Sequence, residues 1–340
     1  MTESAHPRES LAPNTLPLDS TTQLLTRITA QLGAQLSHVQ LNGGRRPMNS
    51  SRTNAEVPSI PGPGPHAEHA GTREPAARTT ARTLAAATLT PTAPALVAVA
   101  HGSRDPRALR TVTRLLDRVR ELRPGLDVRV GHIELDEPLL PDTLAALTAH
   151  GDREAVLVPL LLGRGHHVKR DIPAAVAGAP GLCARIAQPL GPHPLLVEAL
   201  YARLAEAGWR SADNGSRSAG VVLAAAGSRD PESAAGARRT AGMLSERLGG
   251  VPVVPAYASA LSPTVSDAVR ALAARGRHRI AVASYFTAPG RFASAAAAAA
   301  PWTSADPLGA HPAMARLVLQ RYDETAAGLS LANRRQLVTA

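Results

Sequence analysis

Cysteine occurs once in the 340 residues, at Cys183. A single thiol excludes an internal disulfide and any cluster ligated by this chain's cysteines alone. It fits a reducing, cytoplasmic setting. Aromatic residues are almost as scarce, at 2%, which leaves few platforms for stacking nucleic-acid bases. Lysine also occurs once, at Lys169, so every other basic side chain is an arginine. No run of eighteen apolar residues is present, so no membrane span is expected. The segment 1–20 has no apolar stretch behind a basic start, so no secretory signal is expected either. Neither a Walker A loop nor a Gly-x-Gly-x-x-Gly fingerprint occurs, and nucleotide binding has little support.

What is present in excess is positive charge, formally +10. Such a value invites a nucleic-acid partner. The arginines, however, are scattered rather than gathered in a stripe, within a composition rich in Ala, Gly and Pro. We therefore expect neither a nucleic-acid nor a membrane partner. A diffuse positive field suits a small substrate rich in carboxylates.

Residues 1–93 carry many Pro, Ser, Thr and Gly, and such a stretch buries too little apolar surface to offset chain entropy. It reads as a mostly disordered extension. Within it, Leu24, Leu25, Ile28, Leu32, Leu36 and Val39 recur at helical spacing, so 19–40 reads as a short amphipathic helix or a transient one. From residue 95 strand and helix patterns alternate. Strands are expected at 95–100, 126–134, 155–162 and 182–187, and helices at 107–122, 139–149, 168–176 and 194–207. That order is the signature of a parallel sheet covered on both faces.

The series is then repeated. Ala100-His101-Gly102-Ser103-Arg104-Asp105-Pro106 returns as Ala225-Ala226-Gly227-Ser228-Arg229-Asp230-Pro231, an offset of 125 (226 − 101). The same offset carries Glu134 onto Ser259 and His167 onto Phe292. The chain thus reads as two similar flavodoxin-like or Rossmann-like α/β lobes, 94–209 and 220–326, with a cleft between them. The first lobe keeps the reactive side chains and the second is degenerate.

In open α/β sheets ligands bind beyond the carboxyl ends of the strands. His101, Glu134 and the His166–His167 pair stand at three such ends. Imidazoles and a carboxylate can ligate a first-row divalent metal and can accept protons near neutral pH. Each also has a plainer reading. His101 could cap a turn, Glu134 could be a solvated strand-end carboxylate, and one of His166 and His167 could be loop. His132, two residues before Glu134, would share its face, as an accessory or as a packed or solvent-facing side chain. The Gly102–Asp105 and Gly227–Asp230 turns could present amides and Arg104 or Arg229 to anions, or the Arg–Asp pair could only lock the turn. His193 and His311, each within Leu-Gly-x-His-Pro, persist in both copies and read as helix caps.

Val99-Ala100-His101-Gly102-Ser103-Arg104-Asp105-Pro106, with Val158-Pro159-Leu160-Leu161-Leu162 and His167-Val168-Lys169-Arg170-Asp171-Ile172-Pro173, resembles the CbiX/SirB group of sirohydrochlorin chelatases over about residues 95–325. The resemblance implies the chelatase fold and ATP-independent insertion of Fe2+ or Co2+ into sirohydrochlorin, for siroheme or cobalamin synthesis. No permanently bound cofactor is implied; the metal is a substrate. His101, Glu134 and His167 match the family's metal and catalytic positions, with His166 as the alternative to His167. Ser103, Arg104, Arg164, Gly165, Lys169 and Arg229 would meet the substrate, with the cations and Arg170 neutralising its carboxylates at the rim. Duplication within one chain is compatible with a monomer. A carrier of tetrapyrrole or metal with the same cleft is the alternative.

Overall fold

The computed structural model describes residues 93–338 except Ala260, with side chains through residue 329. The expected disordered extension and its helix at 19–40 lie outside the described residues. Two parallel four-stranded sheets form the frame. The first holds β1 (Ala95–Ala100), β2 (Val128–His132), β3 (Glu154–Pro159) and β4 (Cys183–Ile186) in the order β2-β1-β3-β4. The second holds β5 (Ala219–Ala225), β6 (Val253–Tyr257), β7 (Arg279–Tyr285) and β8 (Thr303–Ser304) in the matching order β6-β5-β7-β8. Each sheet winds to one side of its first strand and then to the other. The point of reversal, between β1 and β3, is where this topology opens a crevice.

The helices of the first repeat are α1 (Pro106–Leu122), α2 (Leu140–His150), α3 (Ile172–Ala177) and α4 (Pro194–Glu206). Those of the second are α5 (Pro231–Arg247), α6 (Val265–Ala273), α7 (Arg291–Ala298) and α8 (Pro312–Val338). Strands buried on both faces read as unbroken apolar runs: β1 and β5 are buried at every position. Alternate residues of β1 then serve two cores. Val97 and Val99 face outward to Leu140, Leu144 and Ile172, while Leu96 and Ala98 face a core that continues into Val221, Leu223 and Ala281 of the second sheet. The lobes are therefore joined by one shared interior.

The last helix of each repeat crosses over. α4 packs against β7 of the second sheet, and α8 against β3 and β4 of the first. The crossings are held by polar contacts. Arg203 donates to the Leu308 carbonyl (3.2 and 3.3 Å), the Tyr322 hydroxyl to the Pro94 carbonyl (2.7 Å), and Arg321 Nε to the Pro189 carbonyl (3.1 Å). His193 Nδ1 accepts from the Leu195 amide and His311 Nδ1 from the Ala313 amide, each at 3.2 Å. Both histidines are thus helix caps. Among the described residues no helix is long and apolar enough to cross a membrane.

Candidate active site

The turn after β1 is shaped by its own side chains. Gly102 has φ of +95°, where a β-carbon is disfavoured. A β-carbon there would also lie 1.7 Å from the Glu134 carbonyl oxygen. Backbone bonds draw the two segments together: the Ile133 amide donates to Ala100 (2.9 Å) and the Glu134 amide to His101 (3.0 Å). Asp105 caps α1 by accepting from the Arg107 amide. Its carboxyl is held down at about 2 by the hydrogen bond from the Arg107 side chain. The Ser103 amide donates to Asp136 and the Asp105 amide to the Ser103 hydroxyl. Those amides are satisfied internally, so the turn does not offer them to an anion. Nor is the locking pair Arg104–Asp105; Asp105 pairs with Arg107.

Glu134 does not end its strand as the sequence pattern suggested. β2 stops at His132, and Leu135 sits at φ of +70°. The rule that alternate residues share a face fails where the strand has stopped. His132 is buried with Nδ1 against the Pro138 carbonyl (3.2 Å), while Glu134 is exposed. His167 opens a π-helical turn, His167–Asp171, in which the Ile172 amide bonds back to the His167 carbonyl. Pro173 then lacks the N–H that would extend an α-helical ladder backward through the turn. Across that turn His167 Nδ1 and Asp171 Oδ2 lie 2.6 Å apart.

These elements bring the three first-lobe residues together. His101 Nδ1 is 3.6 Å from Glu134 Oε1, and the His101 and His167 rings meet edge to face with centroids 4.6 Å apart. His166 stands one ring further out, 6.2 Å from His167, with Nε2 3.6 Å from Asp171. Among the described residues no three such donors already surround a common point.

His101, His166 and His167 open onto a cleft of about 930 Å3 between the lobes. Ser103, Arg104 and Gly165 line it too. Lys169 spans the lobes, with Nζ 2.6 Å from Asp230 and 2.8 Å from Glu232, and these acids hold its pKa above the usual lysine value. Arg164 bonds Gln188 and approaches Glu232. Arg164, Lys169, Arg170 and Arg229 are not among the lining residues. Lys169 and Arg164 are paired with groups of the other lobe and with Gln188, partners that the sequence spacing did not reveal.

The second lobe supplies the opposite wall. Tyr257, Tyr285, Phe286 and Phe292 line the cleft, both of the chain's phenylalanines and two of its four tyrosines. The Arg291 guanidinium lies 5.0 Å from the Phe292 ring centroid and also lines the cleft. Burial pushes the Tyr285 phenol up to about 12, and its hydroxyl donates to the Leu162 carbonyl of the first lobe (3.2 Å). Leu109 and Leu135, large apolar side chains left exposed, lie on the same cleft. Sequence reasoning missed Arg291, the aromatic wall and Asp171. The available signal was the clustering of both phenylalanines within 286–292 of so aromatic-poor a chain.

A family model described as CbiX matches residues 95–207 and again 220–325. The chain is 37% identical over 79 residues to a sirohydrochlorin cobaltochelatase of Methanococcus aeolicus, which covers 23% of this chain and 55% of that relative. It thus spans about half the length of that relative. It is 27% identical over 177 residues to a sirohydrochlorin ferrochelatase of Bacillus subtilis, covering 51% of this chain and 66% of the relative. SirB from Bacillus subtilis, solved with Fe3+, superposes with a TM-score of 0.60 at 24% identity, covering 70% of this chain and 97% of that one. At that identity the structural likeness speaks for the fold.

Proposed function

The chain belongs to the CbiX family, and on that premise we propose that it inserts a divalent metal ion, Fe2+ or Co2+, into sirohydrochlorin without ATP. The observation that carries the reading is the pairing of His101 and His167 on one wall of a cleft whose other wall is aromatic, with Glu134 3.6 Å behind His101. Insertion exchanges two pyrrole N–H protons for one M2+. Neutral imidazoles and a carboxylate can hold the arriving ion, and the same groups can take up the two protons. A ring laid against Phe286 and Phe292 would turn its other face toward the histidines. Arg104 and Arg291 stand where they could pair with peripheral carboxylates, and Ser103 and Gly165 would border the ring. Imidazole and carboxylate accept both metals, so the ligand set leaves the choice to supply. We place the enzyme in the cytoplasm, acting in siroheme or cobalamin synthesis.

The decisive assay follows the visible spectrum of sirohydrochlorin anaerobically with Fe2+, Co2+ and Ni2+ in parallel. The expected result is a metal-dependent band change well above the protein-free control with Fe2+ or Co2+. No change above that control with any metal would sink the reading.

A further inference from the structure

A second cavity reaches Glu134 and His167 from the far side. It has a volume of about 1020 Å3 and lies on the outside of the first lobe, between α2 and the segment from α3 to Gly181. Most of its lining is small or aliphatic, including Ala145, Ala149 and Ala175. Its titratable lining consists of Glu134, His167 and Asp171, with no Lys or Arg. The cleft between the lobes has the opposite character. Its two acids are engaged, Asp105 by Arg107 and Asp136 by the Ser103 amide. Its cations Arg104 and Arg291 have no ion pair among the described residues. His167 is the one residue that lines both cavities.

We propose that metal and macrocycle reach the centre through separate openings, the ion by the outer groove past Glu134 and Asp171, the ring by the cleft between the lobes. The inference rests on the insertion reading above. Charge sorts the two ligands: two carboxylates attract a divalent cation, and two free guanidinium groups attract a polycarboxylate and repel that cation. Geometry adds a second reason. Sites of this size bury most of the surface of the ligand they hold, so a seated ring closes the cleft to an ion that follows it. The outer groove stays open, and apart from Glu134 and Asp171 its walls are mostly small or aliphatic. His167 is then the point of transfer, with Asp171 at its Nδ1.

Ala145 gives a test that leaves the catalytic side chains intact, because it lies on the groove but on an exposed face of α2. The comparison is Ala145→Arg against Ala145→Glu. Co2+ is mixed rapidly with protein already loaded with sirohydrochlorin. Arrival of the ion is read from its own visible absorption, and insertion from the cobalt–sirohydrochlorin band. The expected result is arrival slowed about tenfold or more by Ala145→Arg and unchanged or faster with Ala145→Glu. The gap should shrink with added salt, and the sirohydrochlorin Kd should be unchanged in both. Equal arrival rates in the two variants, or wild-type arrival no faster than ring release, would overturn the separate route. Arrival that follows the expected pattern without insertion would leave the route standing and overturn the chelatase reading instead.

Discussion

After β1 and after β5 the chain makes the same turn with different consequences. Gly102 and Gly227 have φ of +95° and +91°. Asp105 and Asp230 cap the helices that follow, and Ser103 and Ser228 accept the Asp105 and Asp230 amides. The Glu134 amide bonds back to His101, and the Ser259 amide to Ala226. The backbone device is therefore complete in both lobes. Only the side chains placed on it differ: His101, Glu134 and His167 in one, Ala226, Ser259 and Phe292 in the other. The shared segment is first an instruction for a turn, and the side chains set on it are a separate layer. Where the first lobe sets donors, the second sets rings and Arg291 on the cleft.

The largest expected effect tests that division directly. His101→Ala or His167→Ala should lower the insertion rate at least about a hundredfold, the scale of a lost proton acceptor and ligand, while sirohydrochlorin still binds. Ser259→Ala, at the position matching Glu134, should stay within about twofold, since the buried Ser259 hydroxyl has no partner. Comparable losses in the two lobes, measured in one anaerobic assay, would erase the asymmetry. A smaller effect is expected on the aromatic side. Phe292→Ala should raise the sirohydrochlorin Kd about tenfold, from lost ring contact, with kcat at saturation little changed. A fall in kcat with unchanged Kd, separated by titration and turnover, would move Phe292 from ring binding to the chemistry.

The smallest effect should be the same in both lobes. Burial holds His193 and His311 below the usual imidazole pKa, helped by Arg321 and Arg203 respectively. Each must be neutral at Nδ1 to accept its cap bond. A histidine with a lowered folded pKa adds stability that is present above its unfolded value of about 6.5 and is lost as pH falls through the folded value. Tm should therefore drop between about pH 7 and pH 5. His193→Asn and His311→Asn, which keep a capping acceptor, should each flatten that slope by a similar amount. A slope unmoved by both, followed by thermal unfolding across the range, would assign it to other groups.

The frame was legible because its signals are local. Apolar runs at β1, β3 and β5, the glycine turn and the repeat at a fixed offset each depend on a few neighbouring residues. That His101, Glu134 and His167 come together followed from their places after successive strands, since the topology puts those ends side by side. What escaped depends on distant partners. Lys169 read as a rim cation, yet Asp230 and Glu232 claim it from the other lobe. Glu134 and His132 read as one face, but the strand ends between them. Residues 168–176 read as a plain helix, where a π-helical turn precedes α3. The periodicity of α4 and α8 showed a helix and could not show which sheet it would cover.

That exchange of final helices bears on how an unequal pair of halves can persist. Two separable halves of this kind would sort among themselves, and many pairings would hold two reactive walls or two aromatic ones. A covalent tether instead presents each half to its unlike partner at an effective concentration of order millimolar. With α4 lodged on one sheet and α8 on the other, neither half can complete its interior without its complement. The link between the repeats therefore guarantees composition: every molecule carries one reactive wall and one aromatic wall, whatever the amount of protein in the cell.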